Sequence, residues 1–232
     1  MTVLYVHELT VNSGTGDALR EISFHLDAGE ILGLIGGAKA GKTALCRALV
    51  GLLEPPSRIS DGKIFFENRD LAALDSTALA EVRNRGLTVI EEASADDLAA
   101  ARTAAPRILA VASEVPAESL QQLMRLRDDA GTAIILAARE GRTIVPACDA
   151  IAVLCGGRLV ERAPRDTWLT ASRHPYSQAL QADPAPDGAA AITGCPYRGP
   201  CPRVGAGCET ADMRLQLVEP DHSTACVRWR DF

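Results

Sequence analysis

The sequence lacks the features that define several broad classes of protein. Its 30 Asp and Glu residues outnumber 24 Lys and Arg residues, which gives a formal net charge of -6. Because a nucleic-acid binder needs a concentrated basic surface, we expect no nucleic acid among the partners. No stretch approaches the roughly 20 consecutive apolar residues of a membrane-spanning helix. A membrane span is therefore not expected either.

The N-terminal residues and the cysteines both favour a cytoplasmic protein. Residues 1–12 (MTVLYVHELTVN) alternate in polarity, which is typical of a β-strand and not of a signal peptide. Seven cysteines are an odd number for a disulfide framework. In a reducing compartment, clustered thiols more often bind metal or act in catalysis. With 232 residues, 47% of them hydrophobic, the chain can bury one core and carry a small appendage.

Hydrophobic patterns predict an α/β domain over residues 1–161. Period-two alternation at residues 4–11 and 19–26 predicts two half-buried strands. An apolar run at 30–36, followed by helical spacing from 42 to 53, predicts a strand, a loop and a helix. The remaining predicted elements are strands at 62–67, 87–90, 108–112 and 133–137, a helix between the last two, and a terminal hairpin at 151–161.

A change of pattern places a domain boundary near Arg162. Two short helical pieces follow Pro164, then a stretch rich in Ala, Pro and Gly at residues 183–190, and finally the residues from Cys195 to Cys226, here called the cysteine segment. We therefore divide the chain into a domain at 1–161 and an extension at 162–232.

The eight residues 36–43 (GGAKAGKT) satisfy the phosphate-loop pattern between a buried strand and a helix. Glycines allow the backbone to fold tightly, so that its N–H groups and the helix N-terminus point at phosphate oxygens. Lys42 is expected to reach the outer phosphates, and the Thr43 hydroxyl can bind Mg²⁺. The expected ATP-binding residues are Gly36, Gly37, Ala38, Lys39, Ala40, Gly41, Lys42, Thr43 and Ala44.

Segments on both sides of this loop resemble one family. Residues 6–11 (VHELTV), the loop, and residues 61–66 (DGKIFF) are similar to the ATP-binding subunits of ABC transporters. Residues 173–180 (RHPYSQAL) and 194–197 (GCPY) are similar to the C-terminal extension of the oligopeptide and dipeptide importer ATPases. The resemblance implies a P-loop NTPase core with N-terminal antiparallel strands and a small, loop-rich, metal-binding extension.

The resemblance also identifies what this chain lacks. Where the family has a glutamine after the strand at 87–90, this chain has Glu91. Ala112 and Ser113 stand in place of the family's Asp-Glu pair, which binds Mg²⁺ and polarises the attacking water. Arg139 replaces the histidine that contacts the γ-phosphate, and Ser13 replaces the aromatic residue that stacks on adenine.

The family's signature subdomain is missing as well. Only about 20 residues separate Glu91 from Ala112, where the family has several dozen carrying the LSGGQ sequence, and no LSGGQ occurs anywhere. Because phosphoryl transfer depends on positioning and charge stabilisation, we expect no hydrolysis by this chain alone and assign no catalytic residue. The alternative is a shifted strand register in which Glu114 supplies the missing carboxylate.

By the same resemblance, the partners are a complete ABC ATPase subunit and, less securely, membrane permease subunits, with the chain peripheral on the cytoplasmic face. Peptides are the substrates implied. Two other function classes stay open: a stand-alone P-loop kinase or nucleotide switch, and a metal-sensing module with a vestigial P-loop. A kinase would need its own metal carboxylate and an arginine-rich lid, and neither is evident.

The cysteine segment carries the candidate metal ligands Cys195, Cys201, Cys208 and Cys226, separated by five, six and seventeen residues. Four thiolates in a loop-rich segment suit zinc or an iron-sulfur cluster, although no C-x-x-C is present. Resemblance to the peptide-importer extension favours a 4Fe-4S cluster over zinc, and the alternative to both is free or disulfide-bonded cysteine.

Overall fold

The computed structural model describes residues 1–139, 141–182 and 193–231. The strands are β1 (Thr2–Asn12), β2 (Asp17–Asp27), β3 (Ile31–Ile35), β4 (Arg58–Phe66), β5 (Arg69–Asp70), β6 (Leu87–Ile90), β7 (Ile108–Val111), β8 (Ala133–Ala138), β9 (Ala150–Cys155), β10 (Arg158–Pro164), β11 (Gln216–Glu219) and β12 (His222–Thr224). The helices are α1 (Lys42–Leu49), α2 (Ser76–Asn84), α3 (Ala95–Ala104), α4 (Ala117–Ala130), α5 (Arg165–Ala171) and α6 (Pro175–Leu180). None of these helices is long and apolar enough to cross a membrane.

The N-terminal strands form an antiparallel sheet in the order β2-β1-β4-β5. In β1, the buried side chains of Leu4, Val6 and Leu9 alternate with more exposed residues, and the register places Val6 opposite Phe24. One face of the sheet is therefore apolar and must be covered. The period-two prediction for both strands is confirmed.

The second sheet has eight strands in the order β11-β12-β10-β9-β3-β8-β7-β6. Strands β9, β3, β8, β7 and β6 are parallel neighbours, whereas β10, β12 and β11 are added antiparallel. Strands β3, β7 and β8 are buried along their whole length, because layers cover both faces of a parallel sheet. The predicted α/β fold with an antiparallel addition is confirmed.

Successive residues of the parallel strands alternate between two hydrophobic clusters, one on each side of the sheet. Leu32 and Leu34 pack on the side of α1 and the N-terminal sheet, whereas Ile31 and Ile35 pack on the opposite side. Helices α3 and α4 cover that opposite side, together with Tyr176 of α6. Helix α1 thus lies between the two sheets, with its N-terminus at the carboxyl end of β3.

Several element boundaries differ from the predictions. Helix α1 was expected to continue to residue 53, but it ends at Leu49 because Gly51 adopts a left-handed backbone with φ of 66°. Helices α2 and α3 and the β11–β12 hairpin were not predicted. Helix α3 has only Leu98 and Ala101 buried, so its sequence shows little helical periodicity.

Only α3 lies between β6 and β7. This is the position at which the resemblance implies a helical subdomain of several dozen residues, so the subdomain is truncated as expected. Because β6, β7 and β8 are parallel neighbours, their carboxyl ends lie side by side.

The extension contributes to the same sheet as the preceding domain. Strand β12 pairs with β10, with Glu161 opposite Thr224, and the predicted boundary near Arg162 falls inside β10. Two short helices follow Pro164 as predicted. The stretch at 183–190 lies outside the described residues. The division into 1–161 and 162–232 stays a prediction.

Candidate functional site

The phosphate-loop sequence connects the end of β3 to the start of α1. At Gly41 the backbone is left-handed with φ of 106°, and a Cβ there would lie 2.9 Å from the carbonyl oxygen of Ala18. A Cβ on Gly36 would lie 2.2 Å from the carbonyl oxygen of Leu154. Glycine is therefore required at both positions, for conformation at the first and for close backbone approach at the second.

Hydrogen bonds hold the first part of this loop against the rest of the protein. The Gly36 N–H donates to the carbonyl of Ala138 at 3.3 Å, and the Gly37 N–H donates to the hydroxyl of Tyr176 at 2.8 Å. The Lys42 ammonium donates to the carbonyls of Gly36 and Gly37 at 2.7 and 2.9 Å. The lysine side chain thus lies folded over its own loop.

An open cleft lies beside the second part of the loop. It is lined by Ala18, Lys39, Ala40, Gly41, Lys42, Thr43 and Ala44. The N–H groups in the first turn of α1 have no partner within the helix, and the helix dipole adds positive potential there. The lysine and hydroxyl side chains add further donors. An anion such as a phosphate is the ligand that this cleft favours.

The structure separates the predicted nucleotide-binding residues into two groups. Those from Lys39 to Ala44 line the cleft, whereas Gly36, Gly37 and Ala38 do not. No aromatic side chain is among the cleft's lining residues within the described chain. The hydroxyl of Ser13 donates to the carbonyl of Gly16 at 2.9 Å in the β1–β2 turn. Contacts to a base would therefore be weaker than contacts to phosphates.

Comparison with family models assigns the family. The ABC transporter model matches residues 19–139, which is more than half of the chain. This chain belongs to the ABC transporter family. The matched region contains the phosphate loop and strands β3 to β8. The resemblance stated from the sequence is confirmed.

Curated relatives align with this ABC chain over almost its whole length or over part of it. A putative peptide import ATP-binding protein of Brucella ovis is 23% identical over 299 positions, covering 93% of each chain. A dipeptide transport ATP-binding protein of Bacillus subtilis is 34% identical over 82 residues, 35% of this chain and 24% of that protein. Since 299 positions exceed the 232 residues of this chain, the Brucella relative carries residues missing here.

Solved structures confirm the ABC fold. The cbiO1 protein from Clostridium perfringens, part of the ABC transporter complex cbiONQ, has a TM-score of 0.58 and 16% identity, covering 79% of this chain and 96% of that one. A nucleotide-free ATP-binding cassette from an ABC transporter has a TM-score of 0.62 and 10% identity, covering 78% and 99%. At these identities the likeness concerns the fold alone.

The residue that replaces the ABC glutamine is engaged in an ion pair. Glu91 directly follows β6, and its carboxylate lies 2.6 Å from Nε of Arg47 on α1. The guanidinium of Arg47 holds the pKa of Glu91 below its usual range. Glu91 is thus a charged group held beside the phosphate-loop helix.

The residues after β7 and β8 are not the carboxylates and histidine that the family resemblance implies there. Ala112 and Ser113 directly follow β7, and the Ser113 hydroxyl is buried with no partner in the described part of the chain. The next residue, Glu114, accepts a hydrogen bond from the backbone N–H of Arg139 at 2.6 Å. Glu114 therefore contacts the backbone at the end of β8, where the family resemblance implies the γ-phosphate contact.

All four cysteines of the cysteine segment line one small cavity. Cys195, Cys201, Cys208 and Cys226 border it together with His174. Burial, together with mutual repulsion, raises the pKa of both Cys195 and Cys226 to about 11, so both are protonated thiols at neutral pH. Within the described residues, no three His, Cys, Asp or Glu groups are placed to hold a metal ion. The metal prediction is therefore not supported.

The three remaining cysteines lie in the core. Cys46, Cys148 and Cys155 are each at most 1% exposed. Burial raises the pKa of Cys46 and of Cys148 to about 12. They behave as small apolar residues, as the sequence indicates.

The sequence analysis did not identify two residues, Tyr176 and Glu161, as important contacts. Tyr176 contacts the phosphate loop from the extension, whereas the sequence analysis used it only as part of the 173–180 segment that resembles the importer ATPases. Glu161 is 0% exposed and accepts hydrogen bonds from the N–H groups of Arg173 and His174. The sequence offers one indication of this role: Glu161 is a charged residue at a position of the predicted hairpin strand where the alternation of polarity predicts a buried side chain.

Proposed function

We propose that this chain is a nucleotide-binding, non-hydrolysing subunit of a peptide-type ABC importer. One observation carries the proposal: Lys39 to Ala44 line a cleft suited to an anion, whereas Ala112 and Ser113 follow β7 where the family resemblance implies two carboxylates. The names of the Brucella and Bacillus relatives support peptides as the transported class.

ATP binding would use groups that the structure already brings together. Lys42 would exchange its two loop carbonyls for outer phosphate oxygens, a gain because the ammonium then binds oppositely charged oxygens in place of neutral ones. The first-turn N–H groups of α1 would bind the inner phosphates, and the exposed Thr43 hydroxyl would bind Mg²⁺. The triphosphate thus supplies most of the affinity.

Hydrolysis needs charge stabilisation and an oriented water, and this site supplies little of either. Ala112 has no polar side chain, and the Ser113 hydroxyl is buried. Glu91 is held by Arg47. The site is consequently expected to hold ATP without cleaving it.

We expect the purified chain to release no phosphate from Mg-ATP above the level of its Lys42→Ala variant, although it binds ATP. The measurement is a phosphate-release assay on both proteins. If the wild-type chain turns over and Lys42→Ala does not, the non-hydrolysing assignment is wrong. Glu114→Gln then serves as the decisive variant, because a loss of turnover would identify Glu114 as the substituted base.

A partner subunit would have to supply the ATP-hydrolysing activity of the transporter. We infer that a complete ABC ATPase subunit closes its own signature sequence over this chain's phosphate cleft, while this chain offers no signature in return. The pair would sit peripherally on the cytoplasmic face, against permease subunits. Co-purification of the tagged chain with candidate ATPase and permease subunits, with and without ATP, tests the assembly.

A 4Fe-4S cluster in the cysteine segment is a second proposal. It is supported by four thiols that border one cavity, which is the ligand set such a cluster requires. Resemblance to the peptide-importer extension favours this cluster over a zinc site, which is the alternative. The role of the cluster would be structural, because it would replace a hydrophobic core in this extension.

Anaerobically prepared protein is expected to be brown and to contain iron at close to four atoms per chain, as the proposed cluster requires. Cys226→Ser should remove most of the iron, whereas Cys148→Ser, at a buried cysteine that does not line the cavity, should not. Iron and zinc are measured by elemental analysis alongside visible absorbance. Zinc alone, or no metal, in the anaerobic wild-type protein would refute the cluster.

The two other function classes make different predictions. A metal-sensing module would change its partner binding with metal and not with nucleotide. A kinase or nucleotide switch would act without an ABC partner. Titrating the co-purified complex with ATP and with iron separately distinguishes these possibilities.

A further inference from the structure

Tyr176 connects the extension to the phosphate loop. It lies in the first turn of α6 and is 0% exposed. Its hydroxyl oxygen accepts a hydrogen bond of 2.8 Å from the backbone N–H of Gly37, across 139 residues of sequence. The contact is buried, so no solvent replaces it if the hydroxyl is lost.

The other side of the Tyr176 ring faces the cysteine segment. Its ring centroid lies 4.9 Å from that of Tyr197, at an interplanar angle of 51°. Tyr197 is 4% exposed and stands two residues after Cys195, whose sulfur lies 3.7 Å from Nε2 of His174. A continuous series of buried contacts therefore runs from the cysteine cavity to Gly37.

Backbone hydrogen bonds fix the segment that carries Tyr176. The imidazole Nδ1 of His174 accepts the Tyr176 N–H at 3.1 Å and caps α6. The His174 N–H in turn donates to the buried carboxylate of Glu161 in β10 at 3.1 Å. The hydroxyl of Tyr176 is thus held at a defined distance from the sheet, and a residue held in this way can position a loop.

The hydrogen bond at Gly37 determines which loop N–H groups are left for a ligand. The donors of Gly36 and Gly37 are satisfied by Ala138 and Tyr176, respectively. The cleft is lined instead by the later residues, from Lys39 to Ala44. Anchoring the first part of the loop therefore pre-organises the second part for an anion.

We propose that Tyr176 is a positioning residue of the phosphate loop, and that ATP affinity depends on the packing of the cysteine segment against its ring through Tyr197. This inference rests on the proposed nucleotide binding. It adds that the extension acts on the site, so that a change in the cysteine segment alters ATP binding without touching the nucleotide.

The first test needs no nucleotide. Hydrogen exchange of the peptide containing residues 36–43 is measured in the full-length wild-type chain, in Tyr176→Phe and in Tyr197→Phe. Tyr176→Phe keeps the ring and removes the acceptor, so exchange in this peptide should rise about tenfold, the equivalent of one lost hydrogen bond. Tyr197→Phe, the same change one ring away, should leave it unchanged. Exchange in β7 serves as the internal reference for intact folding.

The second test measures ATP affinity by equilibrium titration in a double-mutant cycle. Tyr176→Phe should weaken ATP binding about tenfold. Tyr197→Leu should weaken it several-fold in the wild-type background and much less in the Tyr176→Phe background, since the effect passes through the hydroxyl. Equal effects in both backgrounds would show that Tyr197 acts independently and would overturn the coupling.

The outcomes separate this inference from the proposed function. If loop exchange and ATP affinity are both unchanged in Tyr176→Phe, Tyr176 positions nothing and the inference is wrong. If the wild-type chain binds no ATP, the proposed function fails and the affinity half of the inference fails with it. Loop exchange then decides alone whether Tyr176 holds the loop.

Discussion

Lys42→Ala is expected to weaken ATP binding about 10- to 100-fold, because hydrogen bonds to charged groups contribute about 1.5–3 kcal/mol. The Lys42 ammonium donates hydrogen bonds to the carbonyls of Gly36 and Gly37. Those carbonyls place it over the loop, within reach of a phosphate bound at the α1 N-terminus. Alanine at position 42 leaves the backbone N–H donors in place but removes the positive charge that lies over the loop. The measurement is an equilibrium titration with Mg-ATP.

Lys39→Ala is the matched control for this prediction. Lys39 belongs to the same loop and lines the same cleft, yet it is exposed and adopts φ of 60°. Alanine and lysine are equally restricted at that φ, so the backbone need not change. We expect a loss of less than about threefold, because an exposed charge interacts weakly through water. Similar losses for both variants would mean that the cleft attracts anions only through its overall charge.

Glu161→Ala is expected to lower the free energy of unfolding by about 3–5 kcal/mol, because it removes the shared acceptor of a buried polar network. The Glu161 carboxylate lies 2.7 Å from Nε2 of His222, and both side chains are 0% exposed. It also accepts the N–H groups of Arg173 and His174. The substitution leaves three buried donors without an acceptor. Denaturant unfolding monitored by circular dichroism measures the loss.

Glu219→Ala tests whether the loss at Glu161 comes from burial. Glu219 pairs with the side chain of Arg173 at 2.7 Å, but the two side chains are 43% and 29% exposed. Exposed ion pairs contribute about 0–1 kcal/mol, so this variant should unfold close to the wild-type midpoint. A loss at Glu161 no larger than that at Glu219 would contradict the assignment of the buried network as a major source of stability.

The parallel core was predictable because its signals are local. Strand β8, like β3 and β7, is a short apolar run, and the glycine pattern at 36–43 has a meaning that depends only on neighbouring elements. The missing carboxylates at Ala112 and Ser113 could also be read from the sequence, since the family order of strands fixes their positions. The truncation between β6 and β7 followed from counting residues.

The long-range contacts could not be predicted in this way. Tyr176 meets Gly37 across 139 residues, and Glu161 meets His222 across 61. Hydrophobic periodicity does not predict these two contacts, because they depend on how β10 and α6 pack against the rest of the protein. Helix α3 was missed because it buries few residues, and the β11–β12 hairpin because its strands are short and mostly polar.

The β11–β12 hairpin gives the cysteine segment a second role. By pairing with β10 it covers a strand whose backbone would otherwise form the border of the large sheet. An uncovered border strand is a template for pairing with other chains, and proteins generally protect it. The border of the sheet is then β11, a strand of only four residues, and a variant without residues 216–224 is expected to expose β10 to pairing with other chains.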